Sequence, residues 1–409
     1  MTGTDVIIVG GGVAGLSTAY QLSQRGVSVT LVERQQLGAG STGQAAGLLG
    51  QVRKTASATR ILVDGLKVVR ELEAQTGQEI FVETGSLRLA TTEARVEDTR
   101  NHVDLGAGSG LEVSLLATEE TARLLPYMKS DDVILASHTA SDGHILPHEL
   151  TMSYAQIARK NGVKILQHRP VRDVIVEKSR ARGVQTDQGP IYADQVVLAC
   201  GPWAYLMAER VGQVLQTVGI EHVYLTTHPN GDYPIDRTSP AVRDYDGRIY
   251  SRPEAGGLIV GIYEDGPVLR DMAELDDDFE MSQMRAARDS PAVAHLLDSA
   301  LHRFPFLENV KYSITQGIMT FTPNGSPLSG TIPGVDNLYH TAGFCGHGIV
   351  QSPAMGVIMA QLILNEPCTY DLSAIAADRY FGVPGFQERS DIDPKCAHTY
   401  SGHYGSAPR

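Results

Sequence analysis

Residues 5–33 constrain this chain more than any other stretch. Asp5-Val6-Ile7-Ile8-Val9 is a short run rich in β-branched residues, which reads as a buried strand. It leads directly into Gly10-Gly11-Gly12-Val13-Ala14-Gly15, which satisfies G-x-G-x-x-G. Leu16, Ala19, Tyr20 and Leu22 come next at helical spacing, Gly26 supplies a stop, and a second strand from Val27 to Val32 ends at Glu33. Gly10 permits the tight turn, Gly12 lets backbone approach a pyrophosphate, and Gly15 lets the helix pack on the strand. The helix N-terminus presents free N–H groups and partial positive charge to phosphate. Glu33 is placed to accept from ribose hydroxyls; an acid there disfavours a 2′-phosphate, and with it NADP. The segment reads as a dinucleotide site.

The residues after Glu33 narrow the choice of dinucleotide. Gly38-Ala39-Gly40-Ser41-Thr42-Gly43-Gln44-Ala45-Ala46-Gly47 is a run of small residues. Small side chains let backbone lie flat against a large planar ligand, and Ser41 and Thr42 can bond phosphate. An extended FAD has a use for such a segment; a simple NAD enzyme has none.

The formal net charge of −13 gives a surface that repels phosphate backbones and anionic lipid, so neither nucleic acid nor membrane is expected as a partner. Val6 to Leu22 is apolar, but three glycines interrupt it and no basic region precedes it, so it is not read as an export signal or anchor. A cytoplasmic location is the expectation. Cys200, Cys345, Cys368 and Cys396 are widely spaced, without a CxxC pair or zinc spacing, so they read as reduced structural thiols and no metal is expected.

Further along, helical periodicity predicts helices over 60–76, 119–125 and 150–161, and apolar runs predict strands over 85–91, 163–166, 171–176 and 196–199. From Gly219 to Tyr263 the pattern alternates, as in His222-Val223-Tyr224-Leu225 and Arg248-Ile249-Tyr250-Ser251-Arg252, which suggests a largely antiparallel sheet. Asp271 to Asp278 is a solvated acidic run. Near the C-terminus the strand Tyr339 to Ala342 enters Gly343-Phe344-Cys345-Gly346-His347-Gly348, and a helix runs from about Gln351 to Leu364. A second glycine-rich strand-to-helix turn so late implies that the first domain is completed there, with another inserted.

These residues carry a resemblance. With Gly10–Gly15 and Glu33, Gly40-Ser41-Thr42 with Ala45-Ala46-Gly47-Leu48, Gly85 to Thr92, Asp142-Gly143-His144-Ile145 with Pro147, Ala199 to Trp203 and Gly343 to Ile349, the chain resembles the D-amino-acid oxidase superfamily of flavoproteins over about residues 4–381. It looks most like the flavin module of dimethylglycine and sarcosine dehydrogenases. The resemblance implies an α/β, glucose/sarcosine-oxidase-like two-domain fold. A discontinuous Rossmann-like FAD-binding domain would comprise residues 1–85, 143–205 and 315–381. An inserted, mainly antiparallel-sheet substrate domain would comprise 86–142 and 206–314, leaving 382–409 as a tail that is a surface arm or an oligomer contact. FAD would be held by Gly10, Gly12, Val13, Ala14, Gly15, Glu33, Arg34, Gly40, Ser41, Thr42, Gln44, Ala46, Gly47, Leu48, Val171, Gly201, Trp203, Gly343, Gly346, His347, Gly348 and Ile349.

The chain departs from that pattern at four places. Gln44 stands where the dehydrogenases carry a flavin-linked histidine, and Met319 stands near the cysteine that monomeric sarcosine oxidases use, so FAD is expected without a covalent link. Ile259 replaces the lysine that promotes reaction with oxygen, which leans the reading towards a dehydrogenase with a protein or quinone acceptor rather than oxygen. Val350 replaces a carboxylate-binding lysine.

Amine oxidation by flavin needs a neutral amine and positive potential at the pyrimidine edge of the ring. The resemblance gives the second task to Gly346-His347-Gly348-Ile349, a geometry suited to stabilising negative charge. His222 and Tyr224 alternate on one strand, Tyr250 and Arg252 on another, and so share faces. The expected catalytic set is His222, Tyr224, Tyr250 and His347, with Arg252, Arg53 or Arg60 as carboxylate anchor. The expected reaction is hydride removal from the carbon beside a secondary or tertiary amine, such as an N-methyl amino acid, and then hydrolysis of the imine. Two alternatives stand beside it: oxidation of a primary amine such as glycine or a D-amino acid, and a flavin-binding subunit without turnover. Aromatic hydroxylation is disfavoured, because Gly343-Phe344-Cys345-Gly346 replaces the Gly-Asp-Ala of that class.

Overall fold

Thr4–Val9 lies in the middle of a parallel sheet in the computed structural model, which describes residues 4–404. Val29–Val32 pairs on one side and the C-terminal half of Gly189–Leu198 on the other. Lys164–Leu166 and Leu338–Ala342 extend the parallel set outwards. The set therefore draws strands from the beginning, middle and end of the chain. Side chains of Thr4–Val9 alternate between two cores, Val6 and Ile8 on one face and Ile7 and Val9 on the other, which is why the segment reads as an unbroken apolar run.

The first of those cores lies under the helices Val13–Ser23, Ala56–Thr76, Pro147–Lys160 and Gly348–Ile363. Their ends are set by local chemistry. Thr55 caps Ala56–Thr76 by accepting from the Ala58 amide, and Gly77 closes it at φ +71°. Pro147 sits at the first helical position, where its missing N–H costs nothing. Val13–Ser23 and Gly348–Ile363 are joined tightly: Ser17 Oγ donates to the Ser352 carbonyl at 2.8 Å, and a Cβ on Gly356 would lie 2.1 Å from Ser17 Oγ. Each of these helices begins at one of the two glycine turns, so their contact sets the distance between the turns.

The second large sheet is almost wholly antiparallel. Val218–Thr227 pairs with Tyr312–Phe321 and Gly257–Ile262, and the sheet continues through Ile249–Glu254 and Ala241–Asp244. Ser86–Ala90 joins in parallel with Ala241–Asp244, and Leu135–Thr139 and Val113–Leu116 complete that edge. A small sheet of Leu48–Leu49, Phe81–Glu83 and Gly143–Ile145 lies where the chain passes between the two. Tyr312–Phe321 pairs with Val218–Thr227 over its whole length, so the boundary expected at residue 315 falls inside a strand of the antiparallel sheet.

The tail differs from its sequence reading. Arg389–Tyr404 is a helix, and Ile392, Cys396 and Tyr400 are fully buried against Val218, Ile220, Phe321 and Cys345. These three recur every four residues and make one apolar stripe. Pro394 and the surrounding Asp, His and Ser residues hide that stripe from a composition reading. Residues 405–409 of the expected tail lie outside the described residues. No described helix is long and apolar enough to cross a membrane.

Candidate active site

A cavity of about 770 Å³ runs between the two sheets and carries a glycine turn at each end. At the first turn Gly10 has φ +112°, and a Cβ there would sit 2.3 Å from the Ala199 carbonyl oxygen. Gly15 backs onto Gly10, with a would-be Cβ 2.1 Å from the Gly10 oxygen, so it holds helix to strand without lining the cavity. Gly12, Val13 and Ala14 do line it, and a Cβ on Gly12 would meet only Thr42 Oγ1 within 4 Å, at 3.1 Å. Thr42 accepts from the Val13 amide at 3.2 Å, and Ser41 donates to the Ile318 carbonyl at 2.5 Å. The Glu33 carboxylate faces the same space, held by the amides of Gly11 at 2.6 Å and Gln35 at 2.8 Å. Beyond it the Arg34 guanidinium lies 3.9 Å over the Trp203 ring, with Val171 and Gly201 alongside in the wall. Burial holds Arg34 below its ordinary value.

Gly40, Gln44, Ala46, Gly47 and Leu48 carry the wall towards the second turn. Gly47 takes φ +75° where a Cβ would strike the Ile145 oxygen at 2.1 Å, so the small residue is required by close approach. At the second turn Gly343, Cys345 and Gly346 all adopt left-handed backbone, with φ of +73°, +50° and +78°. Cys345 is the strained member, tied down by its amide donating to Thr320 at 2.9 Å. Burial pushes its thiol up to about 11, which argues against a reactive thiolate. His347 is the N-cap of Gly348–Ile363, so the amides of Gly348 and Ile349 open that helix at the cavity wall.

The antiparallel sheet supplies the opposite wall. Tyr224, Gly261 and Tyr250 are cross-strand neighbours in one row. Gly261 makes room for Tyr250, since a Cβ there would lie 2.0 Å from Tyr250 Cζ. His222, two residues from Tyr224, reaches the same ring: its Nε2 is 2.8 Å from the Tyr250 hydroxyl. His222 Nδ1 is 2.9 Å from Glu264 Oε2, and Glu264 Oε1 accepts from the Val223 amide at 3.1 Å. Tyr400 of the C-terminal helix donates to the same carboxylate. Burial pushes Glu264 up, but the charge and hydrogen bond of His222 and the Tyr400 hydroxyl outweigh it and hold the carboxyl below its ordinary value. Burial pushes the Tyr224 hydroxyl up, so it stays a donor. The result is a chain, Tyr400–Glu264–His222–Tyr250, that runs from two buried groups to two half-buried ones at the cavity.

Three expected carboxylate anchors are not brought to this cavity. Arg252 turns back to donate to the carbonyls of Ala46 and Pro253 and to pair with Glu254. Arg60 is exposed on its helix, 3.4 Å from Asp64. Arg53 lies behind the wall with a buried Nη2 that finds no hydrogen-bond partner among the described residues. Sequence reasoning missed Arg243, which does line the cavity beside Tyr250, and it missed Glu264 and Tyr400. No motif marks these positions; only the alternation of Ala241–Asp244 and the stripe of the last helix hinted at them.

The two turns fit opposite ends of an extended FAD: a side-chain-free cradle at Gly12 with Glu33 beyond it, and helix-opening amides at Gly348 and Ile349. Comparisons with known proteins agree. A family model described as FAD dependent oxidoreductase, DAO, matches residues 5–362. Mitochondrial dimethylglycine dehydrogenase of Rattus norvegicus is 30% identical over 385 residues, 92% of this chain and 45% of that one. The formaldehyde-forming 4-methylaminobutanoate oxidase of Paenarthrobacter nicotinovorans is 30% identical, over 93% of this chain and 46% of that one. The chain thus spans less than half the length of these two relatives. The solved glycine oxidase of Geobacillus kaustophilus shares the fold, with a TM-score of 0.80, 26% identity, and 93% and 99% of the two chains covered. The family match runs from the strand that opens the first glycine turn into the helix beyond the second, and on that basis the chain belongs to the DAO family of FAD-dependent oxidoreductases.

Proposed function

We propose that this chain oxidises a secondary or tertiary amine, an N-methyl amino acid or a relative, at the carbon next to nitrogen. Bound FAD supplies the hydride acceptor, at its N5. The observation that carries the reading is the His222–Tyr250 pair, 2.8 Å apart, on the wall of a cavity that also carries the Gly346–Ile349 turn. The Tyr250 hydroxyl receives the amine and His222 takes the proton that an ammonium substrate must shed, with Glu264 bearing the resulting imidazolium. Tyr224 bounds the substrate from the strand of His222, two strands from Tyr250. Loss of hydride from the N-methyl carbon leaves an N-methylene iminium, and water added to that carbon yields formaldehyde and the demethylated amine.

FAD is held here without a covalent link, with Gln44 packed against Gly317 in place of an attaching histidine. Arginines but no lysine occur among the residues lining the cavity, which supports a dehydrogenase using a protein or quinone acceptor over an oxidase.

A second reading, oxidation of a primary amine, rests on the likeness to the glycine oxidase of Geobacillus kaustophilus, 26% identical over 94% of this chain. Anaerobic addition of a panel of amines to the yellow protein tests both. Bleaching with formaldehyde release supports demethylation, bleaching with ammonia alone supports the second reading, and no bleaching by any amine rejects both. Readmitting air then reports on the acceptor.

A further inference from the structure

We infer that the chain between Met272 and Met281 is a strap over the adenosine end of the FAD site, so that the cofactor leaves only when this segment lifts. The inference rests on FAD as the cofactor of the family and is independent of which amine is oxidised.

Both ends of the segment are rooted in the antiparallel sheet. Leu269–Arg270 pairs with Val218–Thr227 at the edge of that sheet, and Arg270 is held by Glu221. On the far side Pro291–Arg303, capped by Ser290, buries Leu296 and Ala300 in the same sheet's core. Between these two points the chain crosses to the parallel sheet. Met272 and Met281, 2% and 1% exposed, sit in the core that Ile7, Val9 and Val32 form on the parallel strands. Leu275 and Phe279 pack against its rim. Asp276, Asp277 and Asp278 are exposed. The acidic run is thus the outer face of a segment whose inner face is apolar.

The crossing passes over the cofactor cavity. Met272, Leu275, Asp276 and Asp277 line the cavity, as do Arg34 and Trp203. An extended FAD with its pyrophosphate at Gly12 and a ribose at Glu33 puts its adenine at this end. The tethers of the segment are gathered there too. The Phe279 carbonyl accepts from Arg34 Nη2 at 3.2 Å and from Gln35 Nε2 at 2.9 Å, the two residues that follow Glu33. The Phe279 ring centre lies 6.4 Å from that of Trp203. Asp277 pairs with Arg172 at 2.7 Å, next to Val171 in the wall. The Tyr205 hydroxyl donates to Asp271 and accepts from the Met272 amide at 3.0 Å.

These tethers differ in strength. The two methionines are buried anchors that salt does not reach. The Arg172–Asp277 pair, with side chains 43% and 81% exposed, is weak and screened by salt. Residues 273–280 include no fully buried side chain, so they open at lower cost than either sheet. A strap pinned at both ends and lightly latched in its middle lets FAD in and then slows its escape.

The test follows release of FAD from the loaded protein. An excess of 5-deaza-FAD is added, and loss of bound FAD is read from flavin absorbance with time. The parent, Phe279→Ala, Asp277→Asn and Asp278→Asn are compared in dilute buffer and in high salt. Phe279→Ala releases FAD on the order of tenfold faster, because the ring that packs on Trp203 is gone. Asp277→Asn releases it about threefold faster in dilute buffer, and Arg172 keeps Asp187 as a partner at 2.7 Å. High salt brings the parent to the rate of Asp277→Asn, since screening and substitution break the same pair. Asp278→Asn removes an equal charge one residue away and releases FAD as the parent does. ADP, which offers the adenosine end alone, binds the FAD-free Phe279→Ala protein on the order of tenfold more weakly than the parent. Parent-like release from both Phe279→Ala and Asp277→Asn overturns the inference. So does equal acceleration by Asp277→Asn and Asp278→Asn, or an ADP affinity that Phe279→Ala leaves unchanged.

Discussion

Tyr400 and Glu264 are 136 residues apart in the chain, yet the tyrosine hydroxyl donates to the carboxylate that orients His222. The last helix of the protein is thereby tied to the wall of the cavity. Glu264 is 6% exposed, so a carboxylate there must be compensated, and Tyr400 supplies one of its three side-chain hydrogen bonds among the described residues.

Replacing Tyr400 by Phe keeps the ring packed against Phe321, 4.9 Å away, and removes only the donor. The Glu264 carboxyl, held low in part by that donor, then rises. The acidic limb of the kcat/KM profile for flavin reduction moves to higher pH by on the order of one unit. KM at the plateau changes little, and Glu264→Gln shows a larger loss of rate. A profile that superimposes on the parent's would remove Tyr400 from the positioning chain.

Gly261→Ala tests the Tyr250 hydroxyl without deleting it. The new methyl would lie 2.0 Å from Tyr250 Cζ, so the ring must leave its place beside His222. Rapid anaerobic mixing should show flavin reduction slowed by about tenfold to a hundredfold at unchanged FAD content. Gly266→Ala, with nothing within 4 Å of its Cβ, is the control and should behave as the parent.

Gly10 and Gly12 of the first turn should fail differently. Gly10→Ala drives a Cβ into the Ala199 carbonyl at a φ of +112°, so the protein itself loses stability. Gly12→Ala meets only Thr42 Oγ1 at 3.1 Å, so the apoprotein should melt as the parent does while FAD affinity falls by at least tenfold. Calorimetry of the apoprotein and titration with FAD separate the two effects. Precipitating the parent in acid should leave all of the yellow colour in the supernatant.

Stability should fall on the acid side. Burial lowers His102, His144 and His340 to about 3 in each case, against an unfolded value near 6.5. Each is neutral in the folded chain and takes up a proton on unfolding below about pH 6.5, so stability is full above that pH and drains as pH falls towards 3. The loss amounts to at most about 1.4 kcal/mol per pH unit for each histidine. Urea unfolding at pH 7.5 and pH 5 checks it, with proton uptake as the direct readout; equal midpoints would contradict the assignment.

What the sequence determined by itself was everything that depends on residues close together in the chain. The strand, glycine turn, helix and terminal acid of residues 5–33 are local geometry, since only glycine tolerates the backbone at Gly10 and the approach at Gly15. The late turn at Gly343–Gly348 and the alternating strands around His222 and Tyr250 were readable for the same reason. Tertiary structure decided what those pieces meet. Arg252 shares a face with Tyr250, yet the Ala46 carbonyl, over two hundred residues away, claims its guanidinium. Arg243 carries no motif and gains its place only because its strand pairs with that of Tyr250 on one side and Ser86–Ala90 on the other. Glu264 and Tyr400 lie behind the wall and reach it through His222, Tyr400 by way of a helix whose apolar stripe is three residues long. Backbone conformation is set within a few residues and is legible there; charge compensation is settled between residues that only folding brings together.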